Sequence, residues 1–158
     1  MPRAVTERGW RRAGALAVLM MATAPTFAGA TCLHGEETVF ACRTVQGKRI
    51  EVCDAGRTLS YAFGRPGQRP EIVLRVPRAA ASTWQWQGVG RYLSYAVNLP
   101  NGNTEYSVFW GMDRLSDGHE VEAGVHVSID GRPAATVRCA PGAAIEQNIE
   151  GIDLRAAD

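Results

Sequence analysis

The stretch that decides the fold is Arg91-Tyr92-Leu93-Ser94-Tyr95-Ala96-Val97-Asn98-Leu99-Pro100-Asn101-Gly102-Asn103-Thr104-Glu105-Tyr106-Ser107-Val108-Phe109-Trp110. Leu93, Tyr95, Val97 and Leu99 fall on one face of an extended chain, and Tyr92, Ser94, Ala96 and Asn98 on the other. Beyond the turn, Tyr106, Val108 and Trp110 alternate in the same way. Asn-Gly between two such runs signals a hairpin, because both central residues of a type I′ turn need positive φ. A two-residue Asn101-Gly102 loop pairs Leu99 with Thr104, Val97 with Tyr106, Tyr95 with Val108 and Leu93 with Trp110. The apolar residues then share one face.

A second hairpin is expected on the C-terminal side. Val121, Ala123, Val125, Val127 and Ile129 alternate with Glu120, Glu122, Gly124, His126 and Ser128, and Ala135, Val137 and Cys139 follow Asp130-Gly131. A two-residue loop sets Val127 opposite Ala134 and misaligns the faces, so the pattern predicts a three-residue loop around Gly131. On the N-terminal side, residues 38–44 and 49–53 flank Val45-Gln46-Gly47-Lys48 as a third hairpin. Further strands are expected at 59–63, 71–76 and 82–87, punctuated by Pro66, Pro70 and Pro77. The fold class is all-β, a small antiparallel barrel or sandwich of about eight or nine strands. The tail, residues 143–158, carries Ile145, Ile149 and Ile152 at spacings of four and three, which suits a short helix or a loose end.

Residues 1–30 read as an address. Arg3, Arg8, Arg11 and Arg12 precede the apolar run of residues 13–22, and Ala28-Gly29-Ala30 supplies small residues for cleavage. This is the order of a secretory signal peptide, with cleavage expected after Ala30. Ala13-Gly14-Ala15 after Arg11-Arg12 matches a twin-arginine signal poorly, and Gly29 and Thr31 before Cys32 do not make a lipobox. The remaining 128 residues hold 13 basic and 15 acidic side chains. That balance excludes a nucleic-acid binder working by blanket phosphate neutralisation. No apolar run reaches the roughly 18 residues of a membrane-spanning helix. The expected product is a periplasmic or secreted domain, residues 31–142 plus the tail, not transmembrane after processing.

Cys32, Cys42, Cys53 and Cys139 all follow the expected cleavage point. An even count in an exported chain predicts two disulfides over three possible connectivities. No Cys-x-x-Cys pair argues for zinc. Cys139 must take one of the three N-terminal cysteines and so tie the ends of the domain together.

Signals for chemistry are sparse. There is no Gly-x-Ser-x-Gly elbow, His-Glu-x-x-His helix or phosphate loop. No catalytic residue, metal ligand or cofactor is therefore assigned. The adjacent Glu36 and Glu37 point to opposite faces of a strand and do not form an acid–base couple. His119 lies among Asp113, Asp117, Glu120 and Glu122, whose spacing does not match a calcium loop. His126 falls on the polar face of its strand. Trp84 and Trp86 alternate with Gln85 and Gln87, so both indoles share a face; with Trp110, Tyr92 and Tyr106 they form either a ligand- or sugar-stacking surface or part of the core. Trp84, Trp86, Arg91 and Tyr92 are the binding candidates. Arg65, Arg69, Arg75 and Arg78 surround the proline-rich segment and read as ordinary surface charge.

Across Cys32-x-x-Gly35-Glu36-Glu37-Thr38-Val39-Phe40-Ala41-Cys42, Gly47-Lys48-x-x-x-Val52-Cys53, Tyr61-x-Phe63-Gly64 and Gly124-Val125-x-Val127-x-x-Asp130-Gly131…Val137-x-Cys139, the chain resembles a family of small secreted bacterial proteins of uncharacterised function. That resemblance implies no activity. More loosely, the chain is similar to the periplasmic inhibitors of C-type lysozyme, which are exported small β-barrels with a Cys near the first strand and another near the last. Those inhibitors use a Ser-Gly-x-x-Tyr loop; Gly88-Val89-Gly90-Arg91-Tyr92 lacks the Ser, so no inhibitory residue carries over. The expected function is a non-catalytic domain that binds a partner in the cell envelope. The alternatives are a lysozyme inhibitor, and a metal-binding protein or enzyme using His119 or His126.

Overall fold

A computed structural model describes residues 32–157 of the chain. The expected signal peptide and its cleavage point lie outside the described residues. The strands in chain order are β1 (Glu37–Arg43), β2 (Arg49–Asp54), β3 (Thr58–Gly64), β4 (Ile72–Pro77), β5 (Ser82–Trp84), β6 (Tyr92–Asn101), β7 (Thr104–Asp113), β8 (Val121–Ile129), β9 (Arg132–Arg138), β10 (Glu146–Gln147) and β11 (Arg155–Ala156). They form a five-stranded sheet in the order β10-β1-β2-β3-β4 and a six-stranded sheet in the order β11-β5-β6-β7-β8-β9. The sheets do not close into a barrel, so the architecture is sandwich-like. Among the described residues there is no helix, and hence none long and apolar enough to cross a membrane.

Each sheet turns one face inward, as period-two alternation requires. Phe40, Ile50, Val52, Leu59 and Tyr61 from the first sheet meet Val97, Leu99, Val108 and Val125 from the second, all within 1% of complete burial. The Tyr61 and Tyr106 rings meet across this core with centroids 5.2 Å apart. Burial, reinforced by Tyr106, pushes the Tyr61 hydroxyl pKa up.

The β6–β7 hairpin forms with the expected faces but a register two residues away from the one predicted. Asn101 pairs with Thr104, Leu99 with Tyr106, Val97 with Val108 and Tyr95 with Trp110. The turn is Gly102-Asn103, and of the two only Gly102 has positive φ (63°), the pattern of a type II′ turn. Asn103 is held from outside the hairpin: its carbonyl accepts from the Asp130 amide at 2.8 Å and its amide donates to Asp130 Oδ1 at 3.2 Å.

The β8–β9 hairpin corrects the expected three-residue loop. Ile129 pairs with Arg132 across the two-residue turn Asp130-Gly131, both residues at positive φ as a type I′ turn requires. The parity conflict is resolved further along by a bulge at Ala134, since Ser128 pairs with Pro133 and Val127 with Ala135.

The tail is neither a helix nor a loose end. β10 adds to the free edge of β1, and β11 runs parallel beside β5, so the tail extends both sheets. Between them Ile149 is completely buried in the core. The Gln85 side-chain amide fixes this crossing, donating to the Ile149 carbonyl at 2.9 Å and accepting from the Gly151 amide at 3.0 Å. Arg78 adds a second fastening, bonded to both Asp54 carboxylate oxygens and to the Asp153 carbonyl. Strand β5 stops at Trp84, short of the expected residue 87.

All four cysteines are bonded, as Cys32–Cys53 and Cys42–Cys139, and the described residues contain no free thiol. The second bond joins β1 to the residue after β9 and spans 97 positions. Two disulfides mark an oxidising, extracellular or periplasmic environment.

Candidate functional site on the outer face of the six-stranded sheet

The solvent side of the six-stranded sheet carries the side chains that alternate with the core set. One row across the strands reads Trp84, Ala96, Phe109, Gly124 and Arg138, each paired with the next. Solvated faces of antiparallel sheets are normally polar. Here Trp84 is 50% exposed and Tyr92 43%. Small residues beside them leave a depression of about 410 Å³ whose lining includes Trp84, Tyr92, Phe109, Glu122, His126 and Arg138.

Two glycines shape the depression. A Cβ on Gly111 would meet the Tyr92 hydroxyl at 2.6 Å, so the Tyr92 ring lies across β7 where no side chain stands. A Cβ on Gly124 would run into the Val137 carbonyl, so this position allows β9 to approach β8 closely.

The polar groups are coupled. The Tyr92 hydroxyl donates to Glu122 Oε2 at 3.4 Å, and Arg138 pairs with the same oxygen at 3.4 Å. Burial, followed by the Glu122 charge, raises the Tyr92 pKa. Phe109 and His126 stack with centroids 4.1 Å apart and planes 10° from parallel. His126 Nδ1 lies 2.9 Å from Thr136 Oγ1.

Burial, then the Arg138 guanidinium, hold the His126 imidazole below its ordinary value of 6.5, against the opposing pull of Glu122. The unfolded chain therefore takes up this proton first as pH falls. Its contribution to stability is fully present above 6.5 and is lost as pH drops from 6.5 towards the folded-state value. Urea midpoints measured through this window should fall with pH, and His126→Gln should flatten that part of the profile. An NMR titration placing the His126 pKa above 6.5 would contradict the assignment.

A second cavity, about 720 Å³, opens at the end of the sandwich between β8 and residues 140–145, with Trp110, Val121, Ala123, Pro141 and Ile145 in its wall. Glu122 and Arg138 line both concavities and form the ridge between them.

Of the binding candidates, Trp84 and Tyr92 come together on the outer face. Trp86 does not share that face with Trp84: it packs against the margin of the core, donates to the Val89 carbonyl at 3.0 Å and has the Arg114 guanidinium 4.7 Å from its ring centroid. Trp110 and Tyr106 also pack against the core, Trp110 stacked on Tyr95. Arg91 is held by Asp113 at 2.6 Å, a contact that lowers the Asp113 pKa first through the Arg91 hydrogen bond. Arg75 faces Glu36 at 3.9 Å and Arg78 serves the structural role above, so those arginines make no patch.

Phe109 was not among the candidates, yet its position is legible. Tyr106, Val108 and Trp110 share one face, which places Phe109 alone among polar residues on the other. Among the described residues, the one group of His, Cys, Asp and Glu side chains close enough to share a metal ion is Cys32, Glu51 and Cys53. Its two sulfurs are bonded to each other, and Glu51 pairs with Arg49 at 2.7 Å. Neither His119 nor His126 belongs to such a group. Comparison of the chain with protein-family models, curated proteins and solved structures gives no match.

Proposed function

We propose that this is an exported, non-catalytic β-sandwich that binds a partner of the cell envelope, in the periplasm or outside the cell, through the outer face of its six-stranded sheet. The observation that carries the reading is the aromatic depression itself. Trp84, Tyr92 and Phe109 stand on the side of the sheet that the core does not need, arranged around the small residues Ala96 and Gly111. Its volume falls in the range of small-ligand sites. Bonding of all four cysteines leaves no thiol nucleophile among the described residues, and the histidines have no carboxylate partner at hydrogen-bonding distance.

The test is co-sedimentation of the purified disulfide-bonded protein with envelope fractions of its native host. The wild type should sediment. The double variant Trp84→Ala, Phe109→Ala should remain in the supernatant with an unchanged thermal transition, because both side chains are outside the core. A wild type that stays soluble, or a double variant that sediments equally, overturns the proposal. A partner bound through the Gly88–Tyr92 loop, as the lysozyme-inhibitor reading requires, would survive the double substitution.

A further inference from the structure

We infer that the ligand of this face is a neutral saccharide chain of β-linked pyranose units, an assignment that rests on the binding-surface reading above. Trp84 and Phe109 stand on strands that flank β6, both directly opposite Ala96. Two strand spacings separate them, on the order of 9–10 Å. Side chains of a sheet project roughly perpendicular to it, so the two rings form walls over an alanine floor. One side of the Phe109 ring is covered by His126 of β8. Its free side therefore faces β6, towards Trp84.

A slot of this kind suits a ring with two C–H-rich faces and polar groups around its edge. A pyranose whose substituents are equatorial is such a ring. It presents carbon-bound hydrogens above and below and hydroxyls outward. The rim offers partners for those hydroxyls in Ser94, Ser107, Tyr92, Glu122 and Arg138. Tyr92 is amphipathic in the same sense, with its ring body across Gly111 and its hydroxyl at the edge.

The charge balance selects among saccharides. Glu122 and Arg138 offset each other at 3.4 Å, and their environment holds His126 towards its neutral form. An acidic polysaccharide or a nucleic acid would require cations free to meet its charges. A peptide would more naturally add to a strand edge through main-chain hydrogen bonds than lie on a sheet face. A neutral chain needs neither. The depression is open, so a polymer can pass through it.

The experiment is a ¹H–¹⁵N NMR titration of the protein with chitotetraose and cellotetraose as neutral β-linked probes, with an oligogalacturonate and adenosine as comparisons. A neutral probe should move the Trp84 indole signal and the amides of residues 94–98 and 107–111. Trp84→Ala and Phe109→Ala should each weaken binding by up to about tenfold, and high salt should leave affinity unchanged. No response to either neutral probe, a response confined to other residues, or preference for the acidic oligomer overturns the saccharide assignment. If adenosine alone moves the same signals, or envelopes capture the protein through Trp84 while both sugars fail, the saccharide falls and the binding face stands. If envelope capture ignores both aromatic substitutions, the binding face falls with it.

Discussion

Replacing Cys42 and Cys139 together by serine is expected to lower the unfolding free energy by about 4.7 kcal/mol, the chain-entropy value for a loop of about a hundred residues. The bond joins positions 97 apart and connects β1 with the end of β9. The corresponding figure for the Cys32–Cys53 loop, with a separation of 21, is about 3.4 kcal/mol. The order of the two effects is therefore part of the prediction. Domains of this size unfold at about 5–15 kcal/mol, so loss of the longer bond should leave a marginal protein. Urea denaturation of the two paired-serine variants, each retaining the other bond, measures both. Equal midpoints, or a smaller loss from the longer bond, would show that native-state contributions rather than loop closure dominate.

Ending the chain after Gly142 should abolish the cooperative unfolding transition. The truncation removes Ile149, whose side chain is completely buried; truncating such a residue to alanine alone costs about 2–5 kcal/mol. It also removes Ile145, Ile152 and Leu154 from the margin of the core. The edges of β1 and β5 lose their partners, and the Gln85 amide loses both tail contacts. The Tyr95 hydroxyl loses Glu150, whose hydrogen bond contributes, after burial, to its raised pKa. Near-UV circular dichroism and a thermal melt distinguish the outcomes. A truncated protein with native near-UV signal and an unchanged melt would make the tail dispensable.

Most of the sheet structure was legible because period-two alternation is local. Leu93 to Leu99 and Tyr106 to Trp110 announce their buried face without reference to the rest of the chain. Register within that face is a different matter. Pro100-Asn101-Gly102-Asn103 offers two turn frames that keep the same side chains inward, and alternation is blind to a slip of two. The observed frame is accompanied by contacts between Asn103 and Asp130, residues 27 apart. At β8–β9 the parity conflict was visible, but a longer loop and a bulge at Ala134 satisfy it equally. Asp130-Gly131 favours the tight turn, and the bulge then follows.

The binding face was half legible. Trp84 and Tyr92 carried a signal by type, and Phe109 carried one by parity. Trp86 misled because alternation continues through Gln87, whereas the strand ends when Gln85 turns to the tail. The tail itself was opaque. Two-residue strands are too short to show a period, and three isoleucines at spacings of four and three imitate a helix.

The tail's place at both sheet edges has a consequence for timing. A ribosome delivers the chain from its N-terminus, so the first three cysteines are synthesised together long before Cys139. Only one native bond, Cys32–Cys53, is available among them. Cys42 must wait, and the strands that complete the two edges arrive last of all. Folding is thus a late, whole-chain event with many distant contacts, a slow class of assembly. The early danger is oxidation of Cys42 by a neighbouring thiol, which makes thiol–disulfide reshuffling a step that productive folding draws on.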